Sequence, residues 1–543
     1  MADRLEAIFG RWGTPADARP LSPAAQELLA ERLGSPEAAP AVPLADVRLP
    51  SSRLASEDVE GLNRVVGADH VDLGRTARLR HAVGSSLTDY LHARSGELPE
   101  APDAVVRPAS HDEVLALLRV CSDRRIAVVP FGGGTSVVGG VAPRSGECAA
   151  VVSIALDRMA DLVSVDEVSL TATVQPGITG PALERLLEAR GLMWGHLPQS
   201  WERASVGGYV ATRSAGQASS GYGRSDESVE SLVVATPQGT VRLGRAPFSA
   251  AGPDLRQLFI GSEGVLGIIT EVTLRVRRRP HYEHYEGLMF PDFRSGAAAF
   301  RALAQADLKA TVMRLSDETE TAVTMAMSGP QGRTKDLVTR YLGMRGIQGG
   351  CLAILGWEGY APKATAARRE AAWGAIRHHG GVSLGSGVGE SWRQHRFAGP
   401  YLRDTLLDAG YIVETLETAT DWSRLPDLYQ GVTGAISGQL ASGDREPVVF
   451  CHISHVYGAG ASLYFTAVAA ASQDPVQQWA RAKAAASEAI VATGGTITHH
   501  HAVGADHRQY LSAELGEVGV AALRSVKAVV DPAGVMNPGK LLP

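Results

Sequence analysis

The chain has 543 residues, 45% hydrophobic and 20% charged, a mixture that excludes disordered, collagen-like and coiled-coil classes and leaves room for several domains. Its net charge of −6 excludes the basic footprint of a nucleic-acid binder or a polybasic membrane patch and points to a small-molecule partner. Sixty glycines exceed the usual share of about 7%, which implies backbone that turns tightly or approaches a ligand closely.

Cys121, Cys148, Cys351 and Cys451 are scattered without CxxC spacing, which suits a reducing compartment. The start MADRLEAIFGRWG lacks the apolar core of a signal peptide, and no apolar run reaches the ~18 to 20 residues of a membrane helix. A cytoplasmic protein is expected. Residues 1–95, rich in Ala, Pro and Leu, read as a helical extension without a chemical motif. From Ala104 a short strand (VVRP) leads to a capping box at Ser110 and Glu113. A helix, HDEVLALLRVCSDR, and a second strand at Ile126 to Val129 follow. This β-α-β unit runs into PFGGGTSVVGG, Pro130 to Gly140, whose exposed backbone N–H groups suit a pyrophosphate. Val137 stands where GxGxxG needs its third glycine and no GK[ST] follows, so neither common nucleotide motif applies. Alternating stretches between 151 and 279 predict strands of a β-rich second lobe, with PALERLLEARG as a helix among them. Longer alternations of helix and strand occupy 281–490, and a loop, a helix and the tail DPAGVMNPGKLLP complete 491–543.

Three segments in order, PFGGGTSVVGG, Gly195 to Arg224 and Gly252 to Pro280, resemble the flavin domain of the vanillyl-alcohol-oxidase-type, or PCMH-type, flavoproteins. The resemblance implies an α+β fold: a two-lobed FAD-binding domain over 96–280, a mixed α/β substrate (cap) domain over 281–490, and a C-terminal segment, 491–543, returning to the flavin. It implies FAD contacts at four places. These are Pro130, Phe131, Gly132, Gly133, Gly134, Thr135 and Ser136; Gln199, Ser200, Trp201, Glu202, Arg203, Ala204 and Ser205; Thr212, Arg213, Ser214 and Ala215; and Glu263, Gly264, Val265, Leu266, Gly267, Ile268 and Ile269. The glycine loop has no histidine, so non-covalent FAD is expected; His196 is the nearest candidate for a covalent link, but a packed histidine is the simpler reading.

The C-terminal half resembles the alkyldihydroxyacetonephosphate synthase, or alkylglycerone-phosphate synthase, family. GGTITHHHAVG carries His499, His500 and His501 in that family's triple-histidine motif. GAGASLYFT places Tyr464 at its proposed acid/base tyrosine, and YLRDTLLDAG places Arg403 at its substrate-phosphate arginine. The implied reaction exchanges the acyl group of acyl-dihydroxyacetone phosphate for a fatty alcohol, carried on flavin N5 without net redox change. Neighbours in an extended segment alternate faces, so at most two histidines face the flavin; His499 and His501 are the expected pair, with His500 structural. No nucleic acid and no metal are expected; a homodimer and peripheral contact with a membrane are. Two departures stand out: Phe248 occupies the position of a family arginine, with Arg245 the nearest replacement, and HHHG is HHHA, with Ala502. The alternative is an FAD-linked D-2-hydroxyacid dehydrogenase of the lactate or glycolate type. Its metal-binding HxGDGNLH and GEHG segments correspond to HVYGAGASLY and HHHA here. His455 matches the first histidine, but Tyr464 and His500 replace a histidine and a glutamate.

Overall fold

The computed structural model describes residues 9–329 and 333–543, so the first eight residues of the N-terminal extension lie outside the described residues. Ser110 caps helix His111–Arg124 by accepting from the Glu113 amide at 3.2 Å, as a serine ahead of an apolar repeat should. The Glu113 carboxylate accepts from Ala109 N at 2.7 Å, one residue further back than a capping box requires. The helix carries the chain between strands Ala104–Val106 and Ile126–Phe131, both parallel to the buried strand Ala150–Ala155. Val71–Asp72 adds an antiparallel edge, so the extension contributes one strand to the first lobe. The C-terminal tail returns to the same sheet, where Val128 donates to Val535 O and accepts from Asn537 N.

The alternating stretches between 151 and 279 form a five-stranded antiparallel sheet in the order Leu162–Asp166, Thr171–Val174, Ile268–Arg275, Val229–Thr236, Gly239–Leu243. Residues 282–470 supply a seven-stranded antiparallel sheet ordered Val382–Gly385, Tyr282–Phe290, Cys351–Gly359, Val312–Ser316, Val448–Val456, Gly460–Ala470, Tyr411–Asp421. Alternate residues of its strands, including Cys451, Ile453, Leu463, Phe465 and Ala467, join residues of helices Phe293–Gln305, Leu425–Leu440 and Pro475–Ala492 in one apolar core. The period of two therefore sends Tyr464 and His452 to the opposite face. That face meets the lobe of the five-stranded sheet, where Val456 N donates to Ser220 Oγ and the His455 ring reaches Gly216 O at 3.0 Å.

Candidate flavin and proton-transfer site

The glycine loop leaves the end of strand Ile126–Phe131 and is held from behind by Ser85, whose amide donates to Ser136 O and whose hydroxyl donates to Gly134 O. A Cβ on Gly133 would overlap the Arg203 carbonyl oxygen and stand 2.8 Å from Ala204 Cα, while one on Gly264 would stand 2.7 Å from Pro130. The missing side chains thus let three of the sequence-predicted segments touch. The amides of Gly132, Gly133, Gly134, Thr135 and Ser136 donate to no protein acceptor among the described residues. Five free donors on a loop with so few side chains fit a pyrophosphate, so the residues present suit FAD.

The other predicted contacts divide by what their side chains touch. Val265, Leu266, Ile268 and Ile269 are core residues, leaving only their backbone for a ligand. Trp201 stacks on Phe397, Glu202 accepts from the Tyr401 hydroxyl, and Arg203 donates to Trp12 O, so these three face the cap domain and the N-terminal extension. Gln199 pairs with Gln217 and Thr212 with Gly208 O, while Arg213 forms an ion pair with Asp226. Ser214 bonds His196, which is packed between Trp194 and Tyr209 and neutral, burial pulling its pKa down to about 3. Glu263 accepts from Val503 N and Gly504 N, tying the flavin lobe to the loop that follows the histidines; burial, outweighing those amides, pushes its pKa up to about 7. Phe248 and Arg245 both lie exposed on a surface loop.

Tyr464 faces Glu417 on one neighbouring strand and His452 on the other, and cross-strand partners share a face. Its hydroxyl donates to Thr415 Oγ1 at 3.0 Å and its ring lies 4.9 Å from His452 at an interplanar angle of 22°. Arg314 donates to His452 Nε2 at 2.8 Å, so Nδ1 carries the proton and donates to Glu320 at 3.1 Å. Burial alone would raise the Glu320 carboxyl, but Arg314 and His452 outweigh it and hold it at about 2. Ser454 is an extra residue in this ladder: pairing passes from Ile453 with Leu463 to His455 with Ser462. Such a bulge moves the following side chain to the other face, which brings His455 to the Tyr464 side.

The histidine segment is a run of bends, which corrects the extended conformation on which the alternating directions rested. His500 and His501 are the pair that lies against Tyr464, the first stacked at 6.1 Å and the second edge-on at 5.5 Å. His499 turns away, with Nε2 at 2.7 Å from the Tyr457 hydroxyl. Burial pulls His499 and His501 down to about 3, so both are neutral bases at neutral pH. Beneath the bends sits Glu417. Burial would raise its carboxyl, yet the imidazoles of His500, His501 and His499 outweigh that and hold it well below the usual range. Ala502 has φ +75°, the left-handed region that glycine favours, so the departure from HHHG puts a Cβ at a strained position.

Arg403 lies on helix Gly399–Asp408, donates to Ser85 O at 2.9 Å, stands 3.7 Å from Glu414 and covers the Tyr90 ring at 4.2 Å. Its Nε is buried with no partner among the described residues. The next residue, Asp404, accepts from the amides of Trp12 and Gly13 at 2.8–2.9 Å, and Asp408 pairs with Arg11 and Arg94. The N-terminal extension therefore straps the helix that carries Arg403, a role no motif in it signals.

A glycine loop with free amides, a second lobe touching it through Glu263–Gly264 and a cap sheet closing with a tyrosine and histidines define an FAD-binding protein of the PCMH type. The family models agree: "FAD binding domain" matches residues 102–244 and "FAD linked oxidases, C-terminal domain" matches residues 279–541. The chain is 31% identical over 507 residues to alkyldihydroxyacetonephosphate synthase of Trypanosoma brucei brucei, covering 91% of this chain and 82% of that one. A solved structure of alkyldihydroxyacetonephosphate synthase superposes with a TM-score of 0.82 at 30% identity, covering 95% and 92% of the two chains. The mitochondrial cytochrome-linked D-lactate dehydrogenase of Arabidopsis thaliana is more distant, 28% identical over 81% of this chain and 74% of its own. The chain belongs to the alkyldihydroxyacetonephosphate synthase family.

Proposed function

We propose that the protein is an FAD-dependent alkylglycerone-phosphate synthase that replaces the acyl group of acyl-dihydroxyacetone phosphate with a fatty alcohol, with FAD held non-covalently. The observation that carries this reading is the gathering of His500 and His501 against Tyr464 on one face of the sheet, with Arg403 donating to Ser85, the residue that holds the glycine loop. FAD, which the free amides of Gly132 to Ser136 would hold by its pyrophosphate, would supply an electrophile for C1 of the substrate. The chain's residues handle the rest. A neutral imidazole takes the C1 proton and returns it to C1 when the exchange is complete, the Tyr464 phenol gives its proton to the departing carboxylate, and the resulting phenolate takes the proton of the incoming alcohol as the new C1–O bond forms. The C1–O bond to the carboxylate breaks, an ether bond replaces it, and no electrons are gained or lost overall. Incubating the protein with palmitoyl-dihydroxyacetone phosphate and hexadecanol tests it: palmitate release matched by hexadecanol incorporation, without consumption of an electron acceptor, is the expected result. Flavin bleaching by a D-2-hydroxyacid without that exchange would replace the reading.

Arg403 is proposed as the phosphate ligand, because its Nε is unpartnered while Ser85 and Glu414 both engage Nη1. Arg403→Lys keeps a charge for Glu414 but loses the planar donor pair. Its KM for phosphorylated substrate should rise on the order of 10- to 100-fold, and an equal rise for a dephosphorylated analogue would refute the assignment.

One observation favours the hydroxyacid alternative: ring nitrogens of His455, His499 and His500 lie within 4.8 Å of one another, a spacing a cation could bridge. Against it, His455 Nε2 reaches Gly216 O and its Nδ1 the hydroxyls of Ser454 and Ser462, while the Nδ1 atoms of His499 and His500 are hydrogen-bonded to each other at 2.9 Å. The expected result is that dialysis against EDTA leaves turnover unchanged. Loss of activity restored by a divalent cation would favour the dehydrogenase.

A further inference from the structure

Glu417 has no role in the chemistry above, yet its side chain is fully buried and accepts four hydrogen bonds from one loop. Thr498 Oγ1 donates at 2.6 Å, His499 N at 2.7 Å, His500 N at 3.0 Å and His501 N at 2.8 Å. A carboxylate survives burial only where donors or charges compensate it. Here three successive amides donate to it in addition to the imidazoles around it, and successive amides converge on one anion only when the backbone curls into a concave nest. In an extended segment they would alternate in direction. The curl is therefore a consequence of the anion beneath it, and it is the curl that lays two neighbouring imidazoles on the same tyrosine ring. Glu417 is itself fixed in register, as the strand partner of Tyr464, so the nest measures the histidines' positions from the residue they act with.

We propose that Glu417 is the positioning residue of the triple-histidine loop, its carboxylate setting the curl that holds His500 and His501 against Tyr464. The inference rests on the reading of Tyr464 and the histidines as the proton-handling groups. The titratable groups that face the phenol are Glu417 and His452 from the two neighbouring strands and His500 and His501 from the loop; Glu414, paired with Ala467 on the other face of the sheet, and Arg403 beside it act on the phenol through their charge alone. Burial is the main reason the phenol stays protonated, and the anions of Glu414 and Glu417 add to it.

Glu417→Gln keeps the shape, removes the charge and turns an NH2 toward amides that need an acceptor. The holoenzyme variant should contain FAD at wild-type stoichiometry and lose kcat by about 10²-fold through misplacement of the histidines, with little change in KM. Its alkaline limb of kcat should move to lower pH, because the phenol has lost a neighbouring anion. Diethyl pyrocarbonate should modify its site histidines faster than in the parent, a readout that needs no turnover. Thr498→Val keeps the charge and removes one of the four bonds; kcat should fall about fivefold with the alkaline limb unmoved. Wild-type kcat and histidine reactivity in both variants overturn the proposal, as does a loss of kcat with unchanged histidine reactivity and pH profile. If Glu417→Gln does not fold, wild-type behaviour of Thr498→Val overturns it. A parent enzyme that oxidises hydroxyacids instead of exchanging acyl for alkyl would refute the proposed reaction, while histidine reactivity would still report on Glu417.

Discussion

Tyr464→Phe should lower turnover by about 10²- to 10⁴-fold, the range for loss of a positioned proton donor, while the bound flavin keeps its spectrum. The substitution is close to surgical. Phenylalanine retains the ring that stacks on His452 and His500, and the single bond lost, to Thr415 Oγ1, is worth about 1 kcal/mol of stability. What disappears is a proton. Burial pushes the Tyr464 phenol up to about 12, the anions of Glu414 and Glu417 adding and Thr415 and Arg403 opposing, so at neutral pH it is an acid with its proton in place. His501 beside it has the opposite bias, neutral for the same reason of burial. Two groups whose environments drive them to opposite protonation roles make an acid–base pair. Steady-state kinetics with the flavin absorbance recorded on the same sample decide the matter. Full activity in the phenylalanine variant would remove Tyr464 from the chemistry, and loss of flavin would reassign it to cofactor binding.

The parts of this molecule that were legible in the sequence are those that act locally. Helix His111–Arg124 announces itself through Ser110 and its apolar spacing, and the glycine loop through a density of glycine that has few other uses. The histidine run was legible as a motif and illegible as a shape, because its conformation is imposed by Glu417, some eighty residues earlier in the chain. Nothing distinguishes Glu417 from Glu414 in the string YIVETLETATD until strand pairing sets one opposite Tyr464 and the other toward Arg403. The same applies to Arg314 and Glu320, which reach His452 across 138 and 132 residues. His455 shows a different limit. Strict alternation puts it in the core with Ile453, and only the extra residue Ser454 turns it to the site; a bulge leaves no compositional mark. The tie from Trp12 and Gly13 to Asp404 uses backbone amides, which every sequence offers and none advertises.

Gly133→Ala should yield protein without FAD, and so without any activity, although one methyl group is the entire change. The added Cβ would overlap the Arg203 carbonyl oxygen and press on the Ala204 backbone, and backbone on both sides leaves no flexible side chain to give way. Relief requires the loop to move off residues 203–205, which would carry with it the free amides of Gly132 to Ser136 that fit the pyrophosphate. An anion cradle made of backbone donors has no fallback, since no side chain can follow the ligand when the main chain shifts. The control is Gly374→Ala in helix Pro362–His378, where a Cβ meets nothing within 4 Å and should be neutral or mildly stabilising. Acid precipitation provides the readout. Parent and control should release FAD to the supernatant, as non-covalent binding requires, and Gly133→Ala should release none and melt earlier for want of a ligand that stabilises only the folded state. Flavin retained in the parent's pellet would mean a covalent link, and His196 would be examined first; flavin at parental levels in Gly133→Ala would mean that the pyrophosphate is held elsewhere than on this loop.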